Sequence, residues 1–260
     1  MAKKQTIVMI HGFRGTHHGL LRIAGYLKQD FDIAIPDLPG FGRGPKLRNY
    51  SLDEYVEWLH SFITKHKLHK PILLGHSFGS IVSAAYAAKY PKSIDRLVLV
   101  NPIGAPALDG PNQFLTKLAV FYYKVGTKLS EKNAQRWLSS KIVVRIMSVT
   151  MAKTRDPALR KYIHAQHDMY FSRFHSPQSV LQSFTTSIEN NVSDFAKDIP
   201  VRTMLIAGSL DDITPLGKQY ALVKKFPKAV LKVINDVGHL THYETPDEVA
   251  HFIQVFARLR

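Results

Sequence analysis

The chain of 260 residues contains no cysteine. That absence excludes disulfides, a thiolate nucleophile, Cys-ligated zinc and iron–sulfur clusters, and it favours a cytoplasmic setting over an oxidising one. Long apolar runs are missing as well. The first, Thr6 to Ile10, follows two lysines but spans five residues, too short for a signal peptide, and no stretch of about eighteen apolar residues offers a membrane span. Acidic residues are scarce: Asp and Glu number 20 against 35 Lys and Arg, a formal charge of +15. Such a surplus draws nucleic acid, anionic membrane surface or acidic substrates. It is concentrated between positions 117 and 161, where eleven basic residues face only Glu131 and Asp156. Lys124, Lys128, Lys132 and Arg136 repeat at the spacing of one helical face, with Gly126 as the expected interruption. No nucleic-acid motif accompanies the charge. The expectation is a solvated basic face, with weak contact to an anionic membrane surface as the alternative and no nucleic-acid partner.

What is present is the composition of a globular domain, 45% hydrophobic and 21% charged, long enough to bury a substantial core. Thr6 to Ile10, Phe31 to Ile35, Pro71 to Leu74, Arg96 to Val100, Val201 to Ala207 and Ala229 to Ile234 are short, β-branched apolar runs that read as buried strands. Amphipathic segments alternate with them: Leu20 to Gln29, Leu52 to His66, Ser80 to Lys89, Gly217 to Phe226 and Pro246 to Leu259. Ser51 and Glu54 form a capping box at the second of these. The alternation predicts a parallel sheet with helices on both faces. It fails once, between Asn101 and Pro200, where helical patterns occur without strands. Residues 1–103 and 199–260 are therefore assigned to the core, and residues 104–198 to a helical insertion. Its aromatic and methionine side chains, among them Phe114, Phe121, Trp137, Met147 and Tyr170, are bulky enough to cover a pocket.

The sharpest chemical signal is Gly75-His76-Ser77-Phe78-Gly79, lying between a predicted strand and a predicted helix. A serine there sits on a tight turn whose crowding calls for glycine at 75 and 79. The Phe78 N–H lies at a helix N-terminus, which favours a developing oxyanion. A serine nucleophile needs a base, and the base needs an orienting acid. Asp211 and Asp212 leave the fifth strand and His239 leaves the sixth, so all reach the carboxyl edge of the sheet in the order Ser, Asp, His. Asn101, after the fourth strand, cannot hold an imidazolium as a carboxylate does.

With these blocks the chain resembles the α/β-hydrolase superfamily, in particular its esterases and lipases, over essentially its whole length. His11-Gly12-Phe13-Arg14-Gly15 resembles the family's H-G-x loop, and Asp37 to Gly42 its D-x-x-G-x-G turn. The resemblance implies catalytic Ser77, Asp211 and His239 and an oxyanion hole formed by the N–H groups of Phe13 and Phe78. Asp212 and His242 become solvent-facing neighbours. Gly238-His239 with Glu244 and Pro246 matches the terminal G-H-x(4)-E-x-P pattern. Five residues ahead of Thr6 leave no room for the antiparallel strands with which the family often begins, so a six-stranded, all-parallel sheet is expected, with the insertion as a helical cap.

The implied activity is hydrolysis of small-molecule carboxylic esters of short to medium acyl chains, without cofactor or metal. Alternatives on the same fold are C–C bond hydrolysis, thioester or lactone hydrolysis, monoacylglycerol hydrolysis and non-catalytic ligand reception. Serine in place of aspartate at position 77 disfavours dehalogenase and epoxide hydrolase chemistry. His11, His76, Phe121, Trp137, Met147 and Tyr170 are the candidate substrate contacts. Gly40 to Gly44 resembles a dinucleotide loop but runs into Pro45 and reads as a turn. His164, His167 and Asp168 lack a further metal ligand.

Overall fold

Central strands covered on both faces need no polar side, which is why they read as unbroken apolar runs. The computed structural model describes residues 4–106 and 113–259, with backbone alone at 113–116. Strand β1 (Thr6–Ile10) leads through a helical turn into α1 (Leu21–Leu27), then β2 (Asp32–Ala34), α2 (Leu52–Lys65), β3 (Ile72–His76), α3 (Phe78–Lys89) and β4 (Arg96–Val100). Helices α4 (Gln113–Thr127), α5 (Glu131–Leu138), α6 (Lys141–Met151), α7 (Pro157–Tyr170) and α8 (Pro177–Glu189) follow. The chain then returns to the sheet with β5 (Arg202–Gly208), α9 (Leu216–Val223), β6 (Ala229–Ile234), α10 (Thr241–Glu244) and α11 (Pro246–Arg258).

The strands form one parallel sheet in the order β2-β1-β3-β4-β5-β6. Alternate residues feed opposite sides of it. Val8, Leu73, Leu97 and Leu205 pack with α2 and α3, while Ile7, Leu74, Val98 and Ile206 pack with α1 and α11. From β1 the chain steps to β2 on one side and later to β3 on the other, so the carboxyl ends of β1 and β3 flank a topological switch point. Helix α3 starts from β3 and is buried almost all round, ten of its twelve residues being inaccessible.

Several expectations change in detail. The runs at β2 and β6 are not buried strands: both are sheet edges, with Asp32 exposed and Ile33 and Ala34 half-buried in β2, and exposed and half-buried residues alternating along β6 as far as Val233. Helix α3 begins at Phe78 instead of Ser80, so Ser77 alone makes the turn. Only half of the capping box forms. Ser51 accepts from the Glu54 N–H, but its own N–H goes to Asn49 Oδ1. Lys124, Lys128, Lys132 and Arg136 do not share a helix, because the break falls after Thr127; Gly126 lies within α4, facing Leu138 and Leu181.

The helices between β4 and β5 dock onto the core through the turn after β2. The Gly42 N–H donates to Arg173 O at 2.8 Å and the His175 N–H to Gly40 O at 2.9 Å, around a bridge between Phe41 and Phe174. Among the described residues no helix is long and apolar enough to cross a membrane.

Beneath this layer the protein buries four imidazoles besides that of His239: His11, His76, His167 and His242. Burial lowers the pKa of each, to about 3 for His76 and His167, with neighbouring histidines adding to the effect. In the unfolded chain these groups take up protons near pH 6.5. The native state therefore binds fewer protons below that value. Stability from these groups is complete above about pH 6.5 and is lost as the pH falls, for His76 and His167 down toward 3, by up to about 1.4 kcal/mol per pH unit for a group. Urea unfolding midpoints should fall between pH 7.5 and pH 5; equal midpoints would contradict this reading of the buried histidines.

Candidate active site

Ser77 is the single residue between β3 and α3, and its backbone takes φ 52° and ψ −120°, a conformation costly for any residue with a side chain. Crowding around it leaves no room at the flanking positions. A Cβ on Gly75 would lie 2.3 Å from Gly79 O, and one on Gly79 would lie 2.3 Å from Ile10 O. The turn is fixed from three sides: the Ser77 N–H donates to Val100 O at 3.0 Å, and Ser77 O accepts from the Ser80 N–H and the Ser80 hydroxyl.

Ser77 Oγ lies 2.8 Å from His239 Nε2, and His239 Nδ1 lies 2.8 Å from Asp211 Oδ2. A carboxylate can only accept, so Nδ1 carries the proton and Nε2 offers its lone pair to the serine hydroxyl. Asp211 is buried and has four further donated hydrogen bonds. The N–H groups of Ile213 and Thr214 reach Oδ1 at 2.8 and 2.9 Å, while the Thr214 hydroxyl and Asn101 Nδ2 (2.9 Å) reach Oδ2. Burial alone would raise the Asp211 pKa. The charge of His239 and the hydrogen bonds from His239 and Thr214 overcome it and hold the carboxyl well below the usual range.

Sequence reasoning set Asn101 aside as an unfit acid, but the structure gives it a different place. It is fully buried at φ 45°, donates to Asp211 and to Gly238 O (3.3 Å), and accepts from the Thr241 hydroxyl. Its partners are far off in sequence, so no local pattern marks it. Glu244 binds the N–H groups of Lys153 (2.7 Å) and Thr154 (3.1 Å), tying the His239 loop to the end of α6. Asp212 is half exposed and pairs with Lys153. His242 is not a solvent-facing neighbour; it is buried, with its ring 4.0 Å from that of His76.

The candidate oxyanion donors lie on two turns. The Phe78 N–H opens α3, and Phe13 sits in a turn closed by the Gly15 N–H on Gly12 O at 3.0 Å. Neither amide has a hydrogen-bond partner among the described residues. His11 braces these loops: the Leu38 N–H donates to its Nε2 at 2.8 Å, so Nδ1 carries the proton and donates to Gly12 O at 2.9 Å. Both ring nitrogens are thereby occupied, while His11 and His76 both line the cavity into which Ser77 opens. His76 spends its Nε2–H on His239 O at 3.2 Å. Asp37 closes the neighbouring turn. Burial opposes its charge, but the N–H groups of Arg43 and His17 and the His17 ring hold its pKa down.

Ser77 and His239 open into a cavity of about 660 Å³ with predominantly apolar walls. Phe121, Trp137, Met147 and Tyr170 all contribute to its lining, as do Phe13 and Phe78. The Phe114 side chain lies outside the described residues. Trp137 Nε1 donates to Tyr122 O at 2.9 Å and the Tyr122 hydroxyl returns a bond to Trp137 O, fastening α4 to α5 at the cavity wall. His164 and His167 share Ser148 Oγ through their Nδ1 atoms, at 2.6 and 2.7 Å, and Asp168 pairs with Arg145.

Comparison with known proteins agrees with this architecture. The Psychrobacter immobilis protein named Lipase 1 is 28% identical over 97% of this chain and 76% of its own. The human monoacylglycerol lipase ABHD6 is 24% identical over 96% of this chain and 74% of its own. Among solved structures, a thermophilic esterase from Thermogutta terrifontis superposes with a TM-score of 0.81 at 22% identity, covering 98% of this chain and 90% of that one. A sequence-family model described as the alpha/beta hydrolase fold matches residues 5–246, and the chain belongs to that family.

Proposed function

We propose that the protein is a serine hydrolase that cleaves carboxylic esters of short to medium acyl chains. The observation that carries this reading is the continuous chain of hydrogen bonds from Ser77 Oγ through His239 to Asp211, ending in an apolar cavity. His239 Nε2 takes the Ser77 proton as Oγ attacks the ester carbonyl, and Asp211 stabilises the imidazolium. The carbonyl oxygen gains charge, and the N–H groups of Phe13 and Phe78 receive it. On collapse of the tetrahedral intermediate the C–O bond breaks, and His239 gives its proton to the departing alkoxide. Water then repeats the sequence on the acyl-enzyme, releasing the carboxylic acid and restoring Ser77.

Asn101 acts on this sequence from behind. By holding both Asp211 and the Gly238 carbonyl it keeps the acid and the base in register. Residues 104–198 serve as a cap, since they supply most of the aromatic walls of the cavity and leave the reacting end to the core. The named lipases among the relatives support an ester substrate with an apolar acyl group.

A lipid-borne ester, such as a monoacylglycerol, is favoured by one further observation. Ile142, Ile146 and Val149 form one face of α6 and are exposed by 74, 61 and 51% beside the exposed Lys141 and Arg145. An apolar stripe flanked by cations suits an anionic bilayer surface.

Hydrolysis of a p-nitrophenyl series from acetate to palmitate should peak at short to medium chains, and Ser77→Ala should lower turnover by at least ~10³-fold while leaving unfolding unchanged. Turnover that survives Ser77→Ala would overturn the mechanism. In sedimentation with vesicles of phosphatidylcholine and phosphatidylglycerol, the protein should bind at low salt and release at high salt. Ile142→Asp should weaken that binding without changing p-nitrophenyl butyrate turnover. Failure to bind at low salt would sink the membrane contact.

A further inference from the structure

Next to Phe13 stands Arg14, the largest fully buried side chain among the described residues. Its guanidinium has no carboxylate within 4 Å among the described residues. A buried, permanently charged group needs compensation. Here the compensation comes from helix ends. One Nη donates to Leu138 O at 2.6 Å, Nε donates to Phe171 O at 3.0 Å, the other Nη reaches the Tyr123 hydroxyl at 3.3 Å, and the Phe174 ring lies 5.8 Å away. Leu138 is the last residue of α5 and Phe171 caps α7. Both carbonyls belong to helix C-termini, where acceptors are left over and the macrodipole is negative.

The backbone of Arg14 is as unusual as its side chain. It lies at φ 59°, a region that bulky residues rarely enter, within the turn from Gly12 to Gly15. Glycine would suit that conformation better. The arginine is retained in it by three bonds, each to a residue more than a hundred positions away, in α4, at the end of α5 and at the end of α7.

We propose that Arg14 is a positioning residue, which clamps the Gly12–Gly15 turn onto the ends of α5 and α7 and so fixes the direction of the Phe13 N–H. The inference rests on the reading above, in which that N–H receives the oxyanion. Under it, the oxyanion turn and the helices over the cavity form one mechanical unit. Carbonyl activation depends on those helices being seated.

Two substitutions separate the clamp from the turn. Arg14→Gly suits the positive φ but removes every bond, whereas Arg14→Lys keeps the charge with an ammonium that cannot span three acceptors. The measurements are kcat and KM on p-nitrophenyl butyrate, and Ki for a trifluoromethyl ketone, which adds to a serine hydroxyl and places its oxygen as the oxyanion. In Arg14→Gly, kcat should fall at least about tenfold and Ki should rise by the same factor, with KM nearly unchanged; outright loss of a donor, ~10²- to 10³-fold, is the upper bound. Arg14→Lys should fall between. A merely structural role would lower the unfolding temperature without moving kcat and Ki together. Parental kcat and Ki in Arg14→Gly, or a loss confined to KM, would overturn the inference. If Arg14→Gly does not fold, Arg14→Lys decides by the same two constants. A parent protein that neither hydrolyses esters nor binds the ketone would overturn the hydrolase reading itself, and the role of Arg14 with it.

Discussion

Everything at the site depends on a backbone conformation that no residue with a side chain adopts cheaply, the positive φ of Ser77. A strand running straight into a helix through one residue cannot avoid it. The cost is met by the surroundings: β3 is hydrogen-bonded on both sides, α3 is buried almost all round, and Val100 O holds the Ser77 N–H. Such a turn could not survive at a frayed edge. The central place of β3 in the sheet is therefore a condition for the turn, and the same crowding demands glycine at 75 and 79.

The hydrogen-bonding around Asp211 shows a second principle. A buried carboxylate next to an imidazole could stabilise itself by taking a proton, which would leave His239 without its counter-charge. The charge and hydrogen bond of His239 and the hydrogen bonds from Thr214 prevent that by stabilising the charged form, and the Ile213 N–H and Asn101 Nδ2 also donate to it. Asn101 and Arg14 resemble one another in this respect. Each has a positive φ just past a strand and a buried polar side chain, and each reaches across the molecule to fix a loop. Arg14 links the turn after β1 to the overlying helices; Asn101 links the end of β4 to the loops after β5 and β6.

How much of this could be read from the sequence follows from the range of the interactions. The four inner strands are legible because double-sided burial writes itself as consecutive apolar residues, whereas β2 and β6 read as buried too, because edge position is a matter of strand order. The elements bearing Ser77, Asp211 and His239 were legible because glycines and strand ends mark them locally. Arg14 was not: an arginine in a loop reads as solvent-exposed, and its partners lie in α4, α5 and α7. Asn101 was read only for the charge it lacks, since nothing nearby reveals the carboxylate it serves. His242, three residues past His239, was expected in solvent and is buried against His76, because α10 turns inward. The basic stretch carries a break close to the one expected at Gly126, but the break falls after Thr127 and Gly126 itself packs within α4.

The central claim is that Ser77 is activated by His239 and Asp211. The most direct measurement is mass-spectrometric mapping of a fluorophosphonate adduct, which forms fastest on a serine whose hydroxyl is deprotonated by a neighbouring base during attack. One adduct per chain, on the peptide containing Ser77, with slowed formation in Asp211→Asn, is the result this account predicts. No adduct, or an adduct on another residue, would contradict it.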